Sequence, residues 1–197
     1  MIVDPLSGAC VSYSTQRDST TPPIHWPPHA TVTMTQPHSN QVRVVTTTDE
    51  TQSLDCDGII TSTKSLHLQV KTADCLPILL FHPSGVVGAI HAGRKGTQLG
   101  ILRAALQLLK KRWAVTSNLK IWFGPAICAD CYQIDRKSDT HYDLITENAK
   151  QLYSEFAPGK VALKVARCCT AHEPTNFYSY RREGPGVPMN YSGIMLP

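Results

Sequence analysis

The sequence predicts a mixed α/β (α+β) fold, a single compact domain in which mixed β-sheets are flanked by helices. Three observations carry that expectation. The first half of the chain is dense in short β-branched and apolar runs bounded by turn residues. After residue 96 the apolar period changes from strand-like to helical. Strands and helices then alternate, so the sheet is not a simple doubly wound one.

At 197 residues, with 42% hydrophobic and 17% charged residues, the chain suits one folded domain. Residues 1–30 read as a loosely ordered N-terminal arm, with Pro22-Pro23 and Pro27-Pro28 around Trp26. Residues 31–197 read as one folded domain. Strands are expected at Thr31–Met34, Val42–Val45, Gly58–Thr61 and Leu66–Val70. The nearly continuous run Leu76–Phe81 reads as a strand buried on both faces, and Val86–Ile90 as its hairpin partner across Pro83-Ser84-Gly85.

Leu102, Ala105, Leu106, Leu109 and Trp113 then fall on one helical face, with Thr97 as the expected N-cap. Leu119–Phe123 returns to strand. Ile145, Ala149, Leu152, Tyr153 and Phe156 mark a second helix, stopped by Pro158-Gly159, and Val161–Val165 is a further strand. The tail after Cys168 reads as irregular.

A formal charge of +4 and a pI near 8.7 are mildly basic. The longest basic run, Lys110-Lys111-Arg112, ends a helix and complements its dipole, so it requires no nucleic acid. No apolar run reaches the ~20 residues that span a bilayer, and the first residues lack a signal peptide's pattern, so a cytoplasmic protein without a membrane partner is expected. The seven cysteines then read as reduced thiols.

Two polar residues stand at the ends of apolar strands. Cys75 precedes one and His91 follows its hairpin partner, so antiparallel geometry brings both to the same rim. His38, in the turn-like segment Gln36-Pro37-His38-Ser39-Asn40, is a candidate third group that the sequence alone does not place beside them. A cysteine with two histidines can hold a catalytic zinc and leave one position open. The spacing is too dispersed to be a motif by itself; the same residues could be a buried thiol and two hydrogen-bonded loop histidines.

Further segments carry a resemblance. Asp57-Gly58-Ile59-Ile60-Thr61, Thr72-Ala73-Asp74-Cys75-Leu76-Pro77, Ala89-Ile90-His91-Ala92-Gly93, Gly124-Pro125-Ala126-Ile127, Cys169-Thr170 and Phe177–Arg182 occur in this order. Together with Gln36-Pro37-His38 they resemble the signatures of the laccase-domain, multicopper polyphenol oxidase or peptidoglycan editing factor family, also called YfiH-like. FAMIN, its mammalian relative, acts on purine nucleosides. The resemblance implies a YfiH-like fold, metal ligation by His38, Cys75 and His91, and catalytic roles for Cys75, His91 and Asp74. It also implies a nucleoside and phosphate as small-molecule partners, with Lys95, Arg181, Arg182 and Arg17 as candidate phosphate or substrate contacts.

Departures accompany it. Gly93-Arg94-Lys95-Gly96 stands where the family usually has Gly-Trp-Arg-Gly, Cys128 replaces a glycine, Asp130-Cys131 replaces a double cysteine, and Gln16 interrupts the segment around Arg17. Cys128 and Cys131, with Cys168 and Cys169, could suggest structural zinc, but adjacent cysteines suit one tetrahedral site badly and the expected reading is buried thiols. His25, His29, His67, His82, His141 and His172 have no spacing that singles them out.

The function expected is a zinc-dependent purine nucleoside enzyme, combining phosphorolysis of adenosine or inosine with adenosine deamination. An alternative keeps the fold without the metal and uses Cys75 and His91 as a thiolate–imidazole pair, in a hydrolase or an editing enzyme for cell-wall precursors. Copper-dependent polyphenol oxidation fits worse, because the eight histidines include no His-x-His pair for a copper cluster. A metal-stabilised binding protein is the non-enzymatic reading.

Overall fold

The structure is a computed structural model that describes residues 2–3, 6, 11–14, 17, 30–46 and 52–197. Two six-stranded sheets stack face to face, and helices cover the outer face of the second. The first sheet has the order β1-β2-β14-β7-β3-β5, formed by Ile2–Val3, Val11–Ser14, Asn190–Met195, His67–Thr72, Thr31–Met34 and Gln52–Leu54. The second has the order β13-β10-β8-β9-β6-β4, formed by Val161–Val165, Leu119–Phe123, Leu76–His82, Val86–Ala92, Gly58–Thr61 and Val42–Val44. A small hairpin pairs β11 (Gln133–Asp135) with β12 (Thr140–His141).

The second sheet is therefore the middle layer, which explains its uninterrupted apolar strands. Leu76, Ile78 and Leu80 face the helices and pack with Leu102, Leu106 and Leu109 of α2 (Ile101–Trp113) and Leu152 of α3 (Leu144–Glu155). The alternate residues Leu79 and Phe81 face the first sheet and meet Val32, Leu68 and Ile194. Strand alternation sends one set to each core. The expected β8–β9 hairpin is present, with Leu76 opposite Ala92 and Pro77 opposite His91.

The structure departs from the sequence reading in three places. The tail after Cys168 is not irregular: it forms α4 (Tyr180–Glu183) and β14, which lies inside the first sheet between β2 and β7. Asn190 gives β14 poor strand propensity. Its amide is nevertheless satisfied, donating to the carbonyls of Thr72 and Tyr178 and accepting from the Tyr178 N–H.

Thr97 is not an N-cap. It lies within the short helix α1 (Arg94–Gln98), where its N–H donates to Gly93 O at 2.8 Å, and α2 is capped by Gly100 at φ 82°. The supposed loose arm contributes β1 and β2 to the first sheet. The Pro22–Pro28 segment, with His25 and His29, lies outside the described residues, as does Cys10.

Candidate metal centre and its cavity

The second sheet presents one rim at which β8 begins, β9 ends and β6 begins. Cys75 immediately precedes β8, His91 is the penultimate residue of β9, and Asp57 immediately precedes β6. The His91 N–H donates to Asp57 O at 2.7 Å, locking the two strand ends together. His38 arrives from the turn after β3, and its ring meets that of His91 edge-on at 4.8 Å between centroids. The ligand atoms of His38, Cys75 and His91 all lie within 4.8 Å of one another, with His38 Nε2 3.7 Å from Cys75 Sγ. The structure thus brings together the three residues that the sequence singled out.

Asp57 organises the group, and sequence reasoning assigned it no role. Its fully buried carboxylate accepts from the His38 N–H (3.1 Å), the Ser39 N–H (2.6 Å), the Ser39 hydroxyl (2.7 Å) and His91 Nδ1 (2.8 Å). One carboxylate therefore shapes the His38 turn and directs His91, leaving Nε2 of His91 for a metal, a common arrangement behind metal-binding histidines.

Electrostatics follow from that contact. Burial opposes a charged His91, but the hydrogen bond to Asp57 and then the Cys75 thiol outweigh it and raise its pKa to about 9. Burial likewise opposes the Cys75 thiolate, yet His38 and His91 bring the thiol down to about 7. Burial works against the Asp57 charge too, and the His91 and Ser39 hydrogen bonds still hold it below the usual carboxylate range.

Backbone strain collects here. Gln36, His38 and Asp74 have φ of 62°, 65° and 97°, conformations that side-chain-bearing residues seldom adopt. Gln36 is held by a two-way hydrogen bond with the Lys71 backbone, and His38 by Asp57. Gly93 has a steric role: a Cβ there would lie 2.7 Å from His38 Cδ2 and 3.0 Å from Cys75 Sγ. Donor chemistry, convergence and this close cradle all fit a zinc-sized ion with three protein ligands.

The centre faces a cavity of about 750 Å³, within the range of small-molecule sites. Tyr132, Tyr180 and Met189 give it apolar surface, and Lys71, Arg94 and Arg181 give it positive charge. Tyr180 and Met189 remain 57% and 39% exposed, a high value for side chains of that size.

The other expected residues are placed differently. Lys95 is exposed and does not line the cavity, whereas its neighbour Arg94 does. Arg181 lines the cavity, with Nη2 bonded to Gln133 O. Arg182 instead spends its guanidinium on the carbonyls of Thr170, Ala171 and Phe177 and on Glu183. Arg17 lies outside the cavity wall, bonded to Pro174 O and Glu183 and stacked over Tyr178. Asp74 borders the cavity, but one carboxylate oxygen accepts from Thr170 Oγ1 and the other from the Arg181 N–H, so it braces the wall.

The sequence pattern of the family described as multi-copper polyphenol oxidoreductase laccase matches residues 12–165. The chain belongs to this family. It is 32% identical over 170 residues to a Campylobacter jejuni protein named purine nucleoside phosphorylase Cj1217c, covering 77% of this chain and 71% of that one. It is 26% identical over 161 residues to adenosine deaminase RL5 from an unknown prokaryotic organism, covering 70% and 61% respectively. The crystal structure of YfiH from Bacillus licheniformis superposes with a TM-score of 0.80 at 21% identity, covering 95% of this chain and 93% of that one, and so shares the fold. No helix among the described residues is long and apolar enough to cross a membrane.

Proposed function

We propose that this laccase-family chain is a zinc-dependent purine nucleoside enzyme that cleaves adenosine and inosine by phosphorolysis and deaminates adenosine. The observation that carries the reading is an open His-Cys-His set on the wall of a cavity that also holds cations and aromatic surface. The names of the relatives, a purine nucleoside phosphorylase and an adenosine deaminase, support it. Zinc held by His38, Cys75 and His91 would supply Lewis acidity and a water whose pKa is lowered from ~15.7 toward ~7.

The chain's own residues would do the remainder. Asp57 engages His91 Nδ1, so that Nε2 is the nitrogen turned to the metal and would give up its proton on binding. Tyr132, Tyr180 and Met189 offer flat apolar surface to a purine. Arg94 and Arg181 are the cations for phosphate, in place of Lys95, Arg182 and Arg17.

A second reading has one specific observation in its favour. The depressed Cys75 thiol beside an imidazole is also the pair that a Cys-His hydrolase or a cell-wall editing enzyme would use.

One experiment separates them: metal content together with turnover of adenosine and inosine across phosphate concentrations. Cys75→Ala should remove the metal of this centre and reduce both reactions to background. Arg94→Ala should keep the metal and weaken the phosphate-dependent reaction by ~1.5–3 kcal/mol, with a smaller effect on deamination. Full turnover after chelation would sink the zinc reading and leave the thiolate one. Metal analysis of the same samples distinguishes zinc from copper.

A further inference from the structure

A second group of soft donors lies away from the cavity. Cys128, Cys131, Cys169 and His172 place their sulfur and imidazole atoms within 4.8 Å of one another, and none of the four lines the cavity. Cys131 Sγ is 3.1 Å from His172 Nε2, Cys128 Sγ is 3.7 Å from His172 Nδ1, and the Cys128 N–H points at Cys169 Sγ from 3.3 Å.

Two turns bring these donors together. Cys128-Ala129-Asp130-Cys131 is closed by the Tyr132 N–H on the carbonyls of Cys128 and Ala129. Cys169-Thr170-Ala171-His172 is closed by the Glu173 N–H on Cys169 O at 3.1 Å. Ala126 and Cys169 form a parallel β-bridge, reinforced by the Thr170 N–H on Ala126 O, which sets the turns side by side. Two intervening residues in each turn leave its pair of donors on one side. The adjacency of Cys168 and Cys169 does not count against a site, because Cys168 is not in the group and His172 supplies the fourth donor.

We propose that Cys128, Cys131, Cys169 and His172 form a second, structural zinc site of the Cys3His type. With Zn–S near 2.3 Å and Zn–N near 2.0–2.1 Å, tetrahedral ligand atoms sit roughly 3.5–3.8 Å apart; the Cys131–His172 contact of 3.1 Å would lengthen slightly on binding, and the wider spacings, none above 4.8 Å, would close. Four protein ligands close the coordination sphere, which is the mark of a structural ion. The three thiols favour zinc over hard cations, and they release their protons to solvent as they bind, with no change of oxidation state.

The clamp has a defined load. Tyr132, which follows Cys131, stands in the cavity wall with the Arg181 guanidinium over its ring at 5.5 Å. Thr170, which follows Cys169, holds the Asp74 carboxylate. The second zinc therefore fastens the loop and the C-terminal segment that together wall the first centre.

Metal analysis of protein purified under reducing conditions tests this apart from catalysis. Two zinc ions per chain are expected in the unaltered protein. His172→Ala and Cys128→Ser should each lose about one, Cys75→Ala should lose the other, and Cys168→Ser should retain both. In cobalt-loaded protein the thiolate-to-metal charge-transfer band should survive Cys75→Ala with most of its intensity, because three thiolates remain. If Cys128→Ser fails to fold, His172→Ala carries the test, since that side chain is exposed. One zinc lost with Cys75→Ala and kept in His172→Ala would overturn the proposal, as would a Cys128–Cys131 disulfide found by mass in the isolated protein. One zinc kept in Cys75→Ala and lost in His172→Ala would uphold it while overturning the zinc reading of the cavity.

Discussion

Each sheet buries one histidine within a strand, and the two rings behave oppositely. His67 in β7 is 1% exposed and His91 in β9 is 3% exposed, so burial alone does not distinguish them. His67 meets the neutral hydroxyl of Thr31 at 3.2 Å, and burial lowers its pKa to about 4. His91 meets the Asp57 carboxylate at 2.8 Å, and its pKa rises to about 9 despite the same desolvation. At His91 the hydrogen bond to a buried carboxylate outweighs desolvation and favours the charged ring; at His67 desolvation prevails and favours the neutral one.

The largest effect expected from this contrast is on acid stability. Below pH 6.5 the unfolded chain takes up the His67 proton, while the folded chain does not until about pH 4. Stability is therefore complete above the unfolded pKa and is lost as pH falls through this window, by on the order of 3 kcal/mol from this residue alone. Urea unfolding at several pH values should show the limb, and His67→Gln should flatten it even if the variant is less stable overall. An unchanged slope in the variant would mean that His67 is not held neutral.

The His91 pair has the opposite sign. In protein stripped of metal its stabilisation is present below pH 6.5 and fades as pH rises through about 9. Asp57→Asn should shrink that alkaline limb to the part that Cys75 contributes and move His91 toward the behaviour of His67. It should also weaken metal binding at His38, Cys75 and His91 by about 10–100-fold, the usual cost of losing a carboxylate behind a ligand histidine. Competition with a chelator measures this. Undiminished affinity would show that the carboxylate does not set the imidazole.

Much of this was readable from the chain, for local reasons. The β8–β9 hairpin announced itself because a strand between two cores has no polar face to interrupt it, and hairpin geometry then put Cys75 and His91 on one rim. His38 could not be placed in that way. Its position depends on a hydrogen bond to Asp57, nineteen residues later, and the residues around Asp57 do not show which distant backbone its carboxylate reaches. β14 stayed hidden because Asn190, Ser192 and Gly193 argue against a strand, while pairing with both β2 and β7 enforces one. Lys95 and Arg94 differ by one residue, yet only Arg94 faces the cavity, since a helical turn separates neighbours by about 100°. His172 had a signal, the two-residue spacing from Cys169 that mirrors Cys128 and Cys131, and the adjacency of Cys168 concealed it.

The smallest effect is the most discriminating, because it removes one hydroxyl from each histidine's surroundings. The Ser39 hydroxyl donates to Asp57 Oδ2 at 2.7 Å, so it touches His91 only through the carboxylate. The Thr31 hydroxyl touches His67 directly. Ser39→Ala leaves the Ser39 N–H on the same oxygen and the His38 N–H and His91 on the other, so its cost should be near 1.5 kcal/mol, the low end for a bond to a charged group. Thr31→Val should cost about 1 kcal/mol, as for a bond between neutral groups. Stability alone would not separate such similar losses. Metal affinity does: Ser39→Ala should weaken the His38–Cys75–His91 centre a few-fold, less than Asp57→Asn, and Thr31→Val should leave it unchanged. Calorimetric titration of both variants with zinc, alongside urea unfolding, gives the two quantities. A loss of metal affinity in Thr31→Val as large as in Ser39→Ala would mean that general loosening of the strands, and not the Asp57 hydrogen-bond shell, governs the imidazole.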